Sequence, residues 1–285
     1  PFSKYSVRTA DSGVIMTVRT NLRTRMLPYR RRDDAVSKRS RLTNADQILH
    51  ASGVIPVEPD VGYLPDHCVV ISGERIVDVL PSAVARERYR ADTEIRLPSQ
   101  VLIPGLVNAH THAAMSLFRG LADDQPLNIW LEQHIWPAEA RHVDRRFVHD
   151  GTLLAAAEML RSGTTCFNDM YFFPDEAAAA AIEAGIRAVV GMIVIGFPSA
   201  WAGNTDEYLE NGQRVHDRYR SHPLVTTAFA PHAPYTVDDA ALQRIATLAE
   251  ELDVPVHMHV HETRHEVDDA VARNGVRPLT RLQEF

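Results

Sequence analysis

The sequence predicts an α/β protein: a small β domain followed by a βα series that forms either an open parallel sheet or part of a (β/α)8 barrel. Three observations carry that prediction. After Gly105, segments rich in Val, Ile and Ala alternate with helical patterns, the signature of parallel βα units. Before Gly105, short apolar runs are separated by Gly, Pro and Ser and not by helices, as in a small β domain. Several of the later strands end in histidine, at the rim where barrel enzymes assemble their sites.

From Asp46 to Pro104, "QILHASGVIPV", "HCVVISGERIVDVL" and "TEIRLPSQVLIPG" read as strands. The series itself opens with "VLIPGLVNAH". In "HDGTLLAAAEMLRSG", Leu153, Ala156, Ala157 and Leu160 fall on one helical face, and Gly163 ends the helix. The strand "TTCFNDM", the helix "PDEAAAAAIEAG" and the buried-type strand "IRAVVGMIVIG" follow. A helix over Asp206–Tyr219 precedes "LVTTAFAPHAPY". Thr236 is placed to cap the next helix, with Asp239 three residues on, and Ile245, Leu248, Ala249 and Leu252 form its apolar stripe. The fifth strand is "VPVHMHVHE", and a further helical stretch ends the chain. A full barrel takes eight strands and about 250 residues, so five strands beginning near residue 101 make an open sheet or an incomplete barrel.

Composition narrows the function classes. A chain of 285 residues with 45% hydrophobic content can bury a large core. No stretch reaches the roughly 18 uninterrupted apolar residues of a membrane span, and no secretory signal pattern is present. Cys68 and Cys166 are the only cysteines. They are far apart and outside any C-x-x-C, which argues against a disulfide framework or a thiolate zinc site and fits a reducing cytoplasm. The net charge of -7 points to no special partner, but it is unevenly spread. Residues 1–43 hold 11 basic and 3 acidic side chains; the remaining 242 hold 19 and 34. A nucleic-acid-binding arm is one reading of that basic segment, and a solvated, disordered extension is the plainer one.

His110 and His112, in "GLVNAHTHAAMSLFRG", share a strand face. Neutral imidazole is the commonest metal ligand, and two on one face can chelate one ion. Alone, such a pair is equally a hydrogen-bonded loop. The fifth strand shifts the balance, because His257, His259 and His261 share one parity and Glu262 follows. Three imidazoles in an apolar strand are a poor way to fill a core, since each leaves a polar nitrogen in need of a partner. His232 ends the fourth strand, so the histidines of three strands face one mouth. A divalent metal held mostly by histidine lowers the pKa of water toward about 7, and Glu262 is then the natural proton carrier. The H-x-E…P-C-x-x-C signature of cytidine-type zinc deaminases is absent.

With these residues in view, the chain resembles the amidohydrolase superfamily and, more narrowly, the 5-methylthioadenosine/S-adenosylhomocysteine deaminases of the chlorohydrolase-like group. The resemblance runs from about Ala45 to Phe285 through "PGLVNAHTHAAMSLFRGLADD", "WLEQHIWPAEA", "FAPHAPYTV" and "HMHVHET". It implies an incomplete (β/α)8 TIM-type barrel, about five of eight strands over residues 105–285, preceded by half of a small β-sandwich domain over residues 44–104. It implies that His110, His112 and His259 bind one divalent metal, zinc first, with iron or manganese as alternatives. Several binuclear relatives bridge two metals with a carboxylated lysine; only Lys4 and Lys38 occur here, which favours a single ion. Glu262 matches the glutamate that protonates the purine ring, and Glu139 the carboxylate that accepts from the ribose hydroxyls. His232 matches a substrate-binding histidine, and Trp130 would line the pocket. Read without the family, Glu139 is an exposed helix residue and Trp130 a core aromatic; a carboxylate nonetheless suits a vicinal diol and an indole a purine face. His257 and His261 are expected in supporting or packing roles.

The implied reaction is deamination of the adenine ring of 5′-methylthioadenosine or S-adenosylhomocysteine: water attacks C6, Glu262 protonates the ring nitrogen, and ammonia leaves. Family members add a histidine from the sixth strand and a metal-binding aspartate from the eighth, and neither is within these 285 residues. The expectation is therefore an N-terminal fragment, inactive alone, of a cytoplasmic enzyme that is a homo-oligomer at full length and has a small nucleoside as its partner, with no role for nucleic acid or membrane. The alternatives are guanine or pterin deamination, s-triazine hydrolysis, or a non-catalytic nucleic-acid binder using the basic arm.

Overall fold

The computed structural model describes residues 42–285 and, within the N-terminal segment, the backbone of two strands, β1 (Tyr5–Ala10) and β2 (Gly13–Val18). The rest of the basic segment lies outside the described residues, and with it most of the expected extension over 1–43. The chain divides into two compact units, Arg25–Gly105 and Pro1–Thr24 with Leu106–Phe285.

In the smaller unit the central strand is β3 (Thr43–Val54), which pairs antiparallel with β4 (Leu64–Pro65) and with β5 (His67–Ser72). β5 continues into β6 (Arg75–Pro81) through a tight antiparallel turn. After the short helix α1 (Ser82–Arg88), β7 (Tyr89–Leu102) returns parallel to β3. A parallel return needs a crossover, and β5, β6 and α1 provide it. Ala45, Ile48, Cys68, Val70 and Leu80 face the buried side, where Ala85 of α1 covers them. The sequence anticipated the strands but not α1.

In the larger unit, five parallel strands lie in chain order: β8 (Leu106–Thr111), β9 (Thr164–Tyr171), β10 (Arg187–Val194), β11 (Val225–Pro231) and β12 (Val256–Val260). They form a curled half-barrel, the partial barrel the sequence predicts. β2 pairs antiparallel with β12, and β1 with β2. Short helices α2 (Leu127–Ile129) and α3 (Trp136–His142) flank a widened turn over Trp130–Ile135. The crossover helices are α4 (Arg145–Arg161), α5 (Pro174–Ala184), α6 (Thr205–Tyr219) and α7 (Asp239–Leu252), with α8 (Arg264–Asn274) and α9 (Pro278–Arg281) after β12. β10 and β11 are buried along nearly their whole length, with Val190, Met192, Ile193, Phe229 and Ala230 in the core; this is what a strand covered on both faces requires.

Four expectations need correction. The first barrel strand begins only at Leu106, because β7 already ends at Leu102. Helix α4 buries Val148, Gly151, Thr152, Ala155, Ala156 and Met159; Leu160 is exposed. The small residues win that face because the helix lies against backbone: a side chain on Gly151 would meet the Ala114 carbonyl oxygen at 2.5 Å. Asp238, not Thr236, caps α7, its carboxylate accepting from the Ala241 N–H at 2.8 Å. β12 ends at Val260, so strand parity does not extend to His261, which sits in the left-handed region at φ 59°.

Candidate metal centre

His110 and His112 stand at the C-terminal end of β8, and His259 near the end of β12. Although 147 residues separate His112 from His259 in sequence, their Nε2 atoms lie 3.2 Å apart. The other two Nε2 pairs are also at 3.2 Å. Two tautomers are fixed by the backbone. His112 Nδ1 is 2.6 Å from the Met170 carbonyl and His259 Nδ1 is 2.9 Å from the His232 carbonyl. A carbonyl only accepts, so each Nδ1 carries the proton and each Nε2 presents a lone pair. At least two of the three converging nitrogens are thus acceptors, which cannot hydrogen-bond to one another.

The donor set fits a metal. Nitrogens bound tetrahedrally at about 2.0–2.1 Å from zinc lie about 3.3 Å from each other, close to the spacing of this triad. The Nδ1–carbonyl bonds are the outer contacts that orient metal-binding imidazoles. Burial, reinforced by the neighbouring imidazole of His259, pushes the His112 pKa down to about 4. Burial likewise pushes His259 down to about 4, and it lowers His110, with His112 adding to the effect. All three are therefore neutral near pH 7, as ligation requires. A divalent metal ion fits this cluster.

The strand end that carries His112 is pinned by Asp169 of β9. Its Oδ1 accepts from the Ala113 N–H at 2.7 Å and the Thr111 hydroxyl at 2.8 Å, one residue to each side of His112. Burial raises the Asp169 pKa to about 6, against the pull of those two bonds. His257 is buried, and its Nδ1 lies 3.2 Å from the Asn168 amide nitrogen, so it packs beneath the triad. His261 accepts from the Leu279 N–H through Nε2 at 3.2 Å and anchors the segment entering α9.

His232 follows β11, and its ring centroid is 5.1 Å from that of His259. The Thr236 hydroxyl donates to the Ala233 carbonyl, so its oxygen accepts from His232 Nδ1 at 3.0 Å. His232 Nε2 is then left as an acceptor. Burial, with the imidazoles of His259 and His112 behind it, lowers the His232 pKa to about 3.

Glu262 lies two residues beyond β12 and borders a cavity of about 1060 Å³ that Leu131, Trp136 and Tyr235 also line. Burial first, and then the Glu266 carboxylate, raise its pKa. Glu139, in the first turn of α3, receives the Tyr171 hydroxyl at 2.8 Å on Oε1. Burial raises Glu139 to about 7, although the Tyr171 bond opposes it. Trp130 does not border that cavity: its indole N–H donates to the Leu121 carbonyl at 3.1 Å, and the indole that lines the cavity is that of Trp136. Sequence reasoning missed Asp169, Tyr171 and Glu266. Polar residues closing the apolar strand "TTCFNDMY" and the Thr263-x-x-Glu266 capping pattern were the available signals.

The model of the amidohydrolase family matches residues 101–284. The chain belongs to the amidohydrolase family. It is 52% identical over 244 residues to a 5-methylthioadenosine/S-adenosylhomocysteine deaminase of Saccharophagus degradans, covering 85% of this chain and 54% of that protein. It is 41% identical over 227 residues to a 5′-deoxyadenosine deaminase of Methanothermobacter thermautotrophicus, covering 79% and 52%. The crystal structure of an adenosine deaminase from Xanthomonas campestris with bound zinc superposes with a TM-score of 0.83 at 52% identity, over 86% of this chain and 56% of that one. The atrazine chlorohydrolase of Arthrobacter aurescens complexed with zinc, with a TM-score of 0.74 at 20% identity, covers 84% of this chain and 58% of its own and shares the amidohydrolase fold. The chain spans about half the length of the curated relatives it matches. Among the described residues, no helix is long and apolar enough to cross a membrane.

Proposed function

We propose that this amidohydrolase site serves the hydrolytic deamination of an adenine nucleoside, with 5′-methylthioadenosine and S-adenosylhomocysteine as substrates. The observation that carries the reading is the convergence of three imidazole Nε2 atoms, at least two of them presenting lone pairs, with the Glu262 carboxyl, its pKa raised by burial, three residues past the third. The names of relatives that are 52% and 41% identical support the substrate class. His110, His112 and His259 would hold the ion, zinc by preference for an all-imidazole set. When bound, it supplies the Lewis acidity that activates water at neutral pH.

The chain's own groups do the rest. Glu262, its pKa raised by burial, keeps a proton closer to neutrality than an ordinary glutamate and delivers it to the ring nitrogen as water adds at C6. Breaking the C6–amino bond then releases ammonia and leaves a carbonyl, the two protons of the added water ending one on the departing amino group and one back on Glu262. Glu139 has one oxygen committed to Tyr171 and the other available to a ribose diol. The neutral His232, with Nε2 as acceptor, faces the same mouth and takes a hydrogen bond from the substrate.

The test is ammonia release by the full-length, zinc-loaded enzyme from 5′-methylthioadenosine, S-adenosylhomocysteine, guanine and an s-triazine. The nucleosides are expected to turn over, and Glu262→Gln to lower kcat by at least about 100-fold. Turnover of guanine or triazine alone would overturn the nucleoside reading.

A further inference from the structure

Glu266 belongs to α8 and is 7% exposed, yet most of its bonds lie outside that helix. Its own N–H donates to the hydroxyl of Thr263, the N-cap residue, at 3.1 Å. In a standard capping box the glutamate would reach back to the N–H of the cap residue itself. Here it passes Thr263 by. Oε1 accepts from the His261 N–H at 3.0 Å and Oε2 from the Glu262 N–H at 2.7 Å. One buried carboxylate therefore grips two consecutive amides on the connection that carries Glu262.

That connection needs a grip. His261 has φ 59°, a left-handed conformation that a non-glycine residue holds only when its surroundings enforce it. The turn there takes the chain out of the β12 direction, and the orientation of Glu262 depends on it. Charge-assisted bonds from a carboxylate to backbone N–H groups are short and about twice as strong as neutral ones. The Leu279 N–H holds the His261 ring from the other side.

We propose that Glu266 is a positioning residue, clamping the His261 and Glu262 amides so that the Glu262 carboxyl is aimed at the ring nitrogen it protonates. The proposal rests on the deaminase reading for its consequence but not for its geometry. Glutamine is the same size and has only one acceptor oxygen, so Glu266→Gln keeps one amide bond and turns an N–H₂ group toward the other amide. A misplacement of about 1 Å costs on the order of 100-fold in rate.

In the full-length enzyme, assayed well below the variant's Tm, Glu266→Gln is expected to lower kcat on that scale and leave KM within about twofold. Glu266→Asp, which keeps the charge but is shorter, is expected to fall between the two, and it stands in if the glutamine variant does not fold. Amide hydrogen exchange supplies a readout independent of turnover: the His261 and Glu262 amides are expected to exchange faster in Glu266→Gln, while those of β10 are unchanged. Faster exchange with unchanged kcat, or a loss confined to KM or Tm, would overturn positioning. Unchanged exchange would overturn the clamp itself. If the wild type deaminates no adenine nucleoside, the deaminase reading fails, and the exchange comparison still decides the clamp.

Discussion

Glu139 shows how one residue can carry both a binding role and a stability signature. Its pKa rises from the usual 4.5 to about 7 because burial outweighs the Tyr171 bond. A raised carboxyl binds its proton more tightly in the folded state. The associated stability is therefore complete below about pH 4.5 and is lost as pH rises through about 7. One pKa unit corresponds to about 1.4 kcal/mol, which caps the effect near 3 kcal/mol before solvent screening. Glu139→Gln removes the titration, so the Tm of the wild type relative to this variant is expected to fall between pH 5 and 8. A Tm difference that is flat with pH would show that Glu139 is not buried as described. In the full-length enzyme the same substitution is expected to raise KM for nucleosides and not for free bases; equal shifts would remove Glu139 from the ribose. None of this was legible in "WPAEA" without the family pattern, because the hydrogen-bond partner of Glu139, Tyr171 of β9, is distant in sequence. His110 and His112 were legible as a pair because strand parity and strand-end position are local properties; parity offered His257, His259 and His261 together, and only the family pattern singled out His259. Parity failed at His261 for a local reason too: the strand stops at Val260, and a left-handed residue resets the direction.

Among the elements, α4 shows what periodicity cannot decide. Its sequence offers a stripe that includes Leu153 and Leu160, but the buried face centres on Gly151, Thr152, Ala155 and Ala156, because the turn that follows His112 runs against it. A side chain at Gly151 would meet the Ala114 oxygen at 2.5 Å and the Ala114 Cα at 2.9 Å. Both are backbone atoms and cannot swing aside. Gly151→Ala is expected to cost about 1–3 kcal/mol, as overpacking does, and to weaken metal binding by displacing the segment after His112. Asn204→Ala is the control. Asn204 caps α6, accepting from the Glu207 N–H at 3.0 Å, and its loss should cost about 1 kcal/mol with metal affinity unchanged. Thermal unfolding beside a chelator competition separates the two. Equal metal affinity in both variants would mean that α4 does not set the position of His112. The other elements were largely readable, because Gly, Asn, Asp and Pro mark their ends. The choice of Asp238 over Thr236 as cap was not, since Thr236 is drawn into the turn that holds His232.

For the larger unit, the regular return of apolar strands after Gly105 was enough to predict a parallel sheet, and histidines at the ends of distant strands were enough to predict one mouth. The triad then makes metal binding a report on the fold. His112 and His259 are 147 residues apart, so their nitrogens meet only when β8 through β12 are all in place. An ion that binds the folded state and not the unfolded one stabilises it by mass action, about 2.7 kcal/mol at a concentration 100 times Kd. Zinc is therefore expected to raise the Tm of a protein consisting of residues 1–285, and His259→Ala to abolish the rise. The affinity should be modest. Among the described residues the cluster holds three imidazoles and no carboxylate, and a tetrahedral ion fills its fourth position with water or another donor. Competition with a calibrated chelator is expected to place the Kd of residues 1–285 well above that of the full-length enzyme. An equal Kd would show that three histidines suffice. A zinc-induced rise that survives His259→Ala would place the ion elsewhere and separate the histidine convergence from any metal chemistry.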